Sequence, residues 1–286
     1  LGRPSQVVAA HRGRAVAGLL LGSASGGRRS DAELLLAHAL SITREQLLLD
    51  LPKLVTPPEF ADMVDRRAKC EPIAHIIGSK EFWGLDFTVS PEVLIPRPDS
   101  ETLIEEALRI FADKGPDKIL DLGTGSGALL LAALHEFPDA TGVAMDASAA
   151  ALQVAHGNAD RLELTHRAHF VLQDWSAAGW TESLSGPFDL ILANPPYVST
   201  AVKLAADVAQ FEPHQALFAG GEGLDDYRII IPALNRLLAP GGVALLEIGF
   251  DQARPVSEIA VEHDYHVDSK KDLGGNDRLL SLRCQK

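Results

Sequence analysis

Apolar positions along this chain follow two alternating periods, one typical of strands and one typical of helices. From Lys118 onward, short apolar runs are separated by helical patterns, which indicates a parallel, doubly wound α/β sheet. The pattern predicts strands near 118–121, 141–145, 168–172, 188–193 and 242–248, and helices near 126–136, 148–160, 225–239 and 252–262. Residues 265–267 and 278–282 predict a final antiparallel edge pair, which makes about seven strands, more than one nucleotide-binding half needs.

The first seventy or so residues instead predict short helices. Ser30-Asp31-Ala32-Glu33 has the form of a capping box ahead of an apolar run. Thr56-Pro57-Pro58-Glu59 repeats this form, with Pro57 predicted at the first helical position. The aromatic and β-branched stretch 81–89, with its central glycine, predicts a β-hairpin. We therefore expect a helical bundle over residues 1–75, a hairpin linker over 76–95 and an α/β domain over 96–286.

Composition narrows the class of protein. A chain of 286 residues that is 46% apolar has room for one large packed domain and one smaller one. No apolar run reaches the roughly 18 residues of a membrane span. Cys70 and Cys284 lie far apart and outside any metal-ligand spacing, and the ten histidines show none either. We expect no metal, no disulfide and a reducing cytoplasmic location.

Charge is distributed unevenly. Residues 1–75 hold ten Lys/Arg and eight Asp/Glu, about +2, whereas the remainder holds sixteen and thirty-one, about −15, in agreement with the total of −13. An acidic surface repels a phosphate backbone. The balance favours a protein or small-molecule substrate over nucleic acid.

The run Asp121-Leu122-Gly123-Thr124-Gly125-Ser126-Gly127 closes the first α/β strand and opens a helix. Its glycines allow a ligand to approach the backbone, and a helix N-terminus offers free N–H groups. The spacing is neither the dinucleotide fingerprint nor a P-loop. An ordinary tight turn is the alternative interpretation.

Two acidic positions follow at the ends of the next strands. Asp146 lies about twenty residues past the glycines, where a carboxylate can accept both hydroxyls of a ribose; the alternative is that it caps the next helix, a role Ser148 could also take. After the third strand, Asp174 and Trp175 could bind the amine and one face of an adenine. Alternatively, Trp175 covers the edge of the sheet.

Asn194-Pro195-Pro196-Tyr197 follows the buried strand pattern 188–193. In an open α/β sheet, ligands bind at this carboxyl edge. The asparagine oxygen and the carbonyls of a donor-poor proline segment can accept hydrogen bonds from a planar –NH2 group, against which Tyr197 can lie. The tetrapeptide alone leaves an amide and an adenine amine equally open, and a turn-forming Asn before proline is the structural alternative.

In this order, the motifs resemble a class I S-adenosylmethionine-dependent methyltransferase. A closer resemblance is to the HemK/PrmC family, over about residues 70–283. It is carried by Glu81–Leu85, Ile95-Pro96-Arg97-Pro98, Asp121–Gly127, Asn194–Tyr197, Phe211-Glu212-Pro213, Gly223–Arg228, Glu247-Ile248-Gly249 and Gly275–Arg278. Asp99-Ser100 stands where the family usually has Glu-Thr, and Phe211 where it often has Tyr.

The resemblance implies methylation of the glutamine N5 in the Gly-Gly-Gln motif of class I peptide chain release factors, with the helical domain recognising that substrate. It places the catalytic and substrate-binding roles on Asn194 to Tyr197, and Asn194 also beside the cofactor. Arg97 would contact substrate or cofactor, unless it is a surface arginine. We expect a monomer and no membrane or nucleic-acid partner.

Other functions remain open on the sequence. A ribosomal-protein glutamine methyltransferase would share the motifs, and an adenine-N6 methyltransferase would share Asn194 to Tyr197. The acidity of the second part and the lack of a basic recognition domain weigh against the latter. A cofactor-binding scaffold without activity is disfavoured because the glycines, Asp146 and Asn194 are all present.

Overall fold

The computed structural model describes residues 26–50 and 56–285. These residues form two compact units. One comprises residues up to Gly78 together with Ala205–Phe211, and the other comprises Ser79–Leu204 and Glu212 onward. Helices and strands are numbered below in chain order.

The first unit is helical where it is described. Its helices are α1 (Gly26–Ala39), α2 (Arg44–Asp50), α3 (Glu59–Ala68), α4 (Ile73–Ile77) and α8 (Ala206–Phe211). Its apolar core is formed by Leu35, Leu36, Ala37, Leu47, Phe60, Val64 and Ile76. No sequence pattern indicated that a segment as distant as Ala205–Phe211 belongs to this unit.

The two predicted helix starts in this unit are wrong in position. Ser30 lies inside α1, which begins at Gly26, so it cannot be the N-cap. Helix α3 begins at Glu59 and not at Pro57, and no side chain caps it. The Pro57 carbonyl accepts from the Phe60 N–H instead, at 3.2 Å. Backbone carbonyls of the two prolines therefore accept the hydrogen bonds of the first turn in place of a side-chain cap.

The second unit begins with the predicted hairpin, β1 (Ser79–Phe82) and β2 (Leu85–Thr88). A short 3-10 turn then leads into helix α5. The remaining helices are α5 (Glu101–Ile110), α6 (Ala128–Glu136), α7 (Ala149–Arg161), α9 (Asp225–Leu237) and α10 (Ala253–Glu262). The strands of its main sheet are β3 (Lys118–Leu122), β4 (Thr141–Asp146), β5 (Ala168–Leu172), β6 (Phe188–Ala193), β7 (Leu238–Glu247), β8 (Tyr265–Lys271) and β9 (Asp277–Cys284).

The seven-stranded sheet confirms the predicted class I methyltransferase fold. Its order is β5-β4-β3-β6-β7-β9-β8, parallel except for the pairs β7–β9 and β9–β8. Strand β7 begins at Leu238, earlier than predicted, because Leu238 pairs with Phe188 ahead of a register shift. The strand order reverses beside β3, so a ligand crevice is expected at the carboxyl ends of β3 and β6.

Apolar layers cover both faces of this sheet. Helix α6 is buried from Ala128 to Leu134, as expected for a helix held between sheet and neighbouring helices. Tyr227, Ile230 and Leu234 of α9 pack on the opposite layer. Within the described residues, no helix is long and apolar enough to cross a membrane.

Candidate active site

A cavity of about 430 Å³ opens at the carboxyl edge of β3, β4, β5 and β6, within the second unit. Most of the predicted site residues line it, namely Arg97, Gly123, Thr124, Gly125, Ser126, Asp146, Asp174, Trp175, Asn194 and Pro196. Four predicted residues do not, namely Asp121, Gly127, Pro195 and Tyr197. The two separate motifs, the glycine run and the Asn-Pro-Pro-Tyr segment, therefore share one cavity.

The glycine loop turns tightly over the end of β4. The N–H groups of Gly123 and Thr124 both donate to the Met145 carbonyl, each at 2.9 Å. Gly123 has φ +73°, and a Cβ there would lie 3.0 Å from the Trp175 ring. A side chain at this position would be strained and would press on Trp175. The glycine thus lets backbone, indole and ligand come close together.

Asp121 lies beneath the loop and is 1% exposed. Its Oδ2 accepts a 2.6 Å hydrogen bond from the Thr124 hydroxyl. Burial raises the pKa of Asp121 to about 7, an effect that the Thr124 hydrogen bond opposes and the nearby Asp146 carboxylate reinforces. In the structure Asp121 holds the loop from below.

Asp146, at the end of β4, links the loop to the following helix. Its Oδ2 accepts from the Gly125 N–H and its Oδ1 from the Ser148 N–H, both at 2.9 Å. Ser148, and not Asp146, caps α7 by accepting from the Ala151 N–H. Burial raises the pKa of Asp146, and these backbone N–H donors counteract the rise. Each carboxylate oxygen of Asp146 has a further lone pair that can accept a hydrogen bond, and Asp146 lines the cavity.

Trp175 is fixed in orientation by a residue to which the sequence analysis gave no role. Its indole N–H donates to Asp226 Oδ1 at 2.6 Å, and Asp226 itself lines the cavity. Burial raises the pKa of Asp226, while the indole bond lowers it. Asp174 accepts from the Ser176 N–H at 2.7 Å. Asp226 is the second residue of α9 and lies in the motif Gly223–Arg228. Membership of that motif is the sequence signal that could have identified it.

Asn194 follows β6 and lines the cavity. Its Nδ2 donates to the Ser100 hydroxyl at 3.3 Å, and no described residue donates to its Oδ1. The next two residues are prolines, which have no N–H. The Tyr197 hydroxyl donates to Glu247 Oε1 at 3.2 Å, and burial raises the pKa of Tyr197.

Arg97 lines the cavity as half of an ion pair. Its guanidinium donates to Glu212 Oε1 at 2.6 Å, and Glu212 Oε2 accepts from the Ile95 N–H. The Glu212 side chain is 1% exposed, whereas that of Arg97 is 35% exposed. The ion pair connects the motif Ile95–Pro98 to the motif Phe211–Pro213. Part of the Arg97 guanidinium remains exposed at the cavity.

A buried carboxylate lies behind Asn194. Glu247, 1% exposed, accepts from the Ser100 hydroxyl at 2.5 Å, and its carbonyl accepts from the Tyr227 hydroxyl. Burial raises the pKa of Glu247, and Arg278 is among the groups that oppose the rise. The sequence motifs indicated no role for Ser100, Glu247 or Tyr227, although Glu247 and Tyr227 both belong to motifs quoted above.

The cavity fits S-adenosylmethionine in its chemistry. Its wall contains the carboxyl groups of Glu92, Asp146, Asp174 and Asp226. Such a wall favours a ligand that carries a sulfonium and an ammonium group. Asp146 has acceptor capacity for a diol, and Trp175 provides a flat apolar face. The described residues contain no group of His, Cys, Asp and Glu arranged to hold a metal ion.

Comparison with known proteins agrees with this architecture. Residues 15–78 match the PrmC N-terminal domain, and residues 113–249 match a methyltransferase domain. The release factor glutamine methyltransferase of Bradyrhizobium diazoefficiens is 43% identical over 88% of this chain and 87% of its own. That of Rhodospirillum rubrum is 42% identical over 89% of this chain and 78% of its own.

A solved structure supports the fold alone. A methyltransferase from Pyrococcus furiosus superposes with a TM-score of 0.52 at 18% identity, covering 76% of this chain and 97% of its own. The similarity to the two curated relatives covers 88–89% of this chain. The chain belongs to the family of release factor glutamine methyltransferases.

Proposed function

We propose that this enzyme transfers the methyl group of S-adenosylmethionine to the side-chain amide N5 of the glutamine in the Gly-Gly-Gln motif of class I release factors. The observation that carries the proposal is the polarity of Asn194. Its nitrogen is held by Ser100, so its oxygen is the end available in the cavity that the glycine loop also lines. An acceptor in this position suits a substrate –NH2 group.

The cofactor would be held by groups already in place. Asp146 would accept the ribose hydroxyls, Asp174 and Trp175 would contact the adenine, and the loop Gly123–Gly127 would pass close to the remainder. The sulfonium supplies an activated methyl group when the cofactor is bound. Asn194 lines the same cavity as the glycine loop, so it would contact both ligands.

The chain's contribution to catalysis is positioning. A carboxamide nitrogen is a poor nucleophile because its lone pair is delocalised, and it is too weak an acid for a side chain to ionise. Asn194 Oδ1 and the Pro195 carbonyl would accept its two hydrogens, hold the nitrogen towards the methyl donor and favour the positive charge that develops there. Pro196 stiffens the segment, and Tyr197 would pack against the amide. The proton then leaves to water.

The partner is a release factor, and the helical N-terminal unit would recognise it. Arg97, although paired with Glu212, would contact the substrate or the cofactor with its exposed edge. Since release factors act in translation, the activity belongs in the cytoplasm. We propose a monomer that needs no nucleic acid or membrane.

The test is methyl transfer from labelled S-adenosylmethionine to a purified class I release factor. Label should appear on the wild-type factor and be absent when the Gly-Gly-Gln glutamine is replaced by alanine. The factor with an alanine at a different, exposed glutamine is the matched control and should remain a substrate. Label that persists after the Gly-Gly-Gln replacement would refute the proposed target.

Two further acceptors distinguish the alternatives in the same assay. A ribosomal protein tests the related glutamine methyltransferase activity, and DNA tests adenine methylation. We expect the release factor to have the highest kcat/KM. A higher value for either competitor would assign the enzyme to that substrate instead.

A further inference from the structure

The contact between Ser100 and Asn194 is one end of a longer chain of hydrogen bonds, whose other end is buried. It runs from Glu247, the last residue of β7, through the Ser100 hydroxyl to the Asn194 amide. We propose that Ser100 and Glu247 are positioning residues that determine which end of the Asn194 amide faces the substrate. This inference rests on the proposed function, because it specifies how the same acceptor is oriented.

The first hydrogen bond runs from the serine to the carboxyl group. The Ser100 hydroxyl donates to Glu247 Oε2 at 2.5 Å, and this is the only direction open to the pair while the carboxyl group is ionised. The Tyr197 hydroxyl donates to the other oxygen at 3.2 Å. Burial raises the pKa of Glu247, and the charge of Arg278, whose side chain is 12% exposed, opposes the rise.

The direction of the second hydrogen bond follows from the first. A serine hydroxyl has one proton, and that of Ser100 is already directed to Glu247. Towards Asn194 it therefore offers only lone pairs, and the amide must turn its –NH2 end to Ser100, as observed at 3.3 Å. The Asn194 oxygen is then directed to the cavity.

An orienting partner is needed because packing cannot supply this selection. The two ends of an asparagine amide have nearly the same shape and differ mainly in hydrogen bonding. In the reversed orientation, the Asn194 oxygen would face the lone pairs of Ser100, and its –NH2 would face the substrate –NH2. Two donors would then oppose each other at the reacting nitrogen. The direction imposed by Glu247 prevents this arrangement.

The first experiment compares Ser100→Ala with Ser100→Thr in the intact enzyme. We expect Ser100→Ala to lower kcat for release factor methylation by up to about a hundredfold. The Kd for S-adenosylmethionine and the melting temperature should change little. Ser100→Thr should restore kcat because threonine keeps a hydroxyl that can donate to Glu247 and accept from Asn194. A serine with only a packing role would show no such rescue.

Ser281→Ala is the matched control. Ser281 is 1% exposed, compared with 4% for Ser100, and its hydroxyl has no hydrogen-bond partner among the described residues. It pairs with Leu245 of β7, two residues before Glu247. Its loss should leave kcat unchanged. Glu247→Gln provides a second variant of nearly the same shape, in which the Ser100 proton is no longer directed, and its kcat should also fall.

A double-mutant cycle tests whether Ser100 acts through Asn194. If Ser100 acts through Asn194, then Ser100→Ala should change kcat by no more than about twofold in an Asn194→Ala background. Independent, multiplying losses would overturn the inference, and so would an unchanged rate in Ser100→Ala. Either of these two outcomes would contradict only the role given to Ser100, because the proposed function depends on whether the wild-type enzyme methylates the release factor. A wild-type enzyme inactive on that substrate would overturn both proposals.

Discussion

At the scale of single residues, Asn194 links structure most directly to chemistry. Replacing it with alanine removes the acceptor for the substrate amide but leaves the glycine loop and Asp146 in place. We expect Asn194→Ala to lower kcat by about 10²–10³-fold, as for loss of one preorganised hydrogen-bonding group. The Kd for S-adenosylmethionine, measured by calorimetry, should rise much less. Asn235→Ala, at an exposed position, is the control. Equal losses in kcat and affinity would contradict the role given to Asn194.

Asp121 leads to a prediction about pH. Its pKa is raised to about 7 in the folded protein by burial, whereas an unfolded aspartate titrates near 4. The folded state therefore binds more protons between these values, and stability falls as pH rises through this window. Asp121→Asn cannot ionise and avoids that loss. The melting temperature of Asp121→Asn minus that of the cofactor-free wild type should become more positive from pH 4.5 to pH 8. A constant difference would show that Asp121 has an ordinary pKa when folded.

Individual site residues differ in how far the sequence could predict them. Gly123, Asp146 and Asn194 stand at strand ends in recognisable spacings, and the structure places all three at the cavity. Ser100 and Glu247 lie 147 positions apart, and only the folded sheet brings them together. Local patterns contain no information about such a contact. The sequence therefore indicated residues that stand at strand ends and missed Ser100, Glu247 and Asp226, which orient them.

At the scale of elements, Asn158 of α7 connects the hairpin to the glycine loop. It is fully buried, its Oδ1 accepts from the Thr88 N–H and its Nδ2 donates to the Ser126 carbonyl, each at 2.8 Å. Asn158→Ala leaves the Thr88 N–H and the buried Ser126 carbonyl without these partners. We expect a loss of about 1–3 kcal/mol in the free energy of unfolding and weaker cofactor binding. Urea unfolding measures the first and calorimetry the second.

The control for Asn158 lies on the same helix. Gln153 is exposed, so Gln153→Ala should change neither quantity measurably. An Asn158→Ala variant with lowered stability but unaltered cofactor affinity would show that α7 supports the fold without holding the loop. Unaltered stability would mean that water replaces the lost bonds.

Elements themselves were predictable to different degrees. Strands β3 to β6 and the hairpin follow from period and β-propensity, because buried strands leave a continuous apolar run. The ends of elements depend on contacts that the local pattern lacks. Helix α1 continues upstream of the Ser30 box, and β7 begins early because Leu238 finds a partner in Phe188. Tertiary pairing decided these boundaries.

At the scale of the whole molecule, charge and cavity location divide the functions between the two units. Residues after His75 are strongly acidic, and the cavity wall is acidic as well. This field suits a cationic cofactor and disfavours a polynucleotide. The segment 205–211, which follows Asn194 in the chain, belongs to the helical unit. The chain thus passes from the cavity to the first unit and back.

The location of the cavity leads to a test of this division. Every residue that lines it belongs to the second unit, so deletion of residues 1–78 should leave the Kd for S-adenosylmethionine unchanged within about twofold. Release factor methylation should lose kcat/KM strongly, because contacts remote from the reacting amide also contribute binding energy to the transition state. A Gly-Gly-Gln peptide, too short to reach the helical unit, should be methylated equally by both proteins, and circular dichroism checks that the shortened protein is folded. If the folded, shortened protein methylated the whole release factor as fast as the full chain does, the first unit would not be the part that recognises the factor.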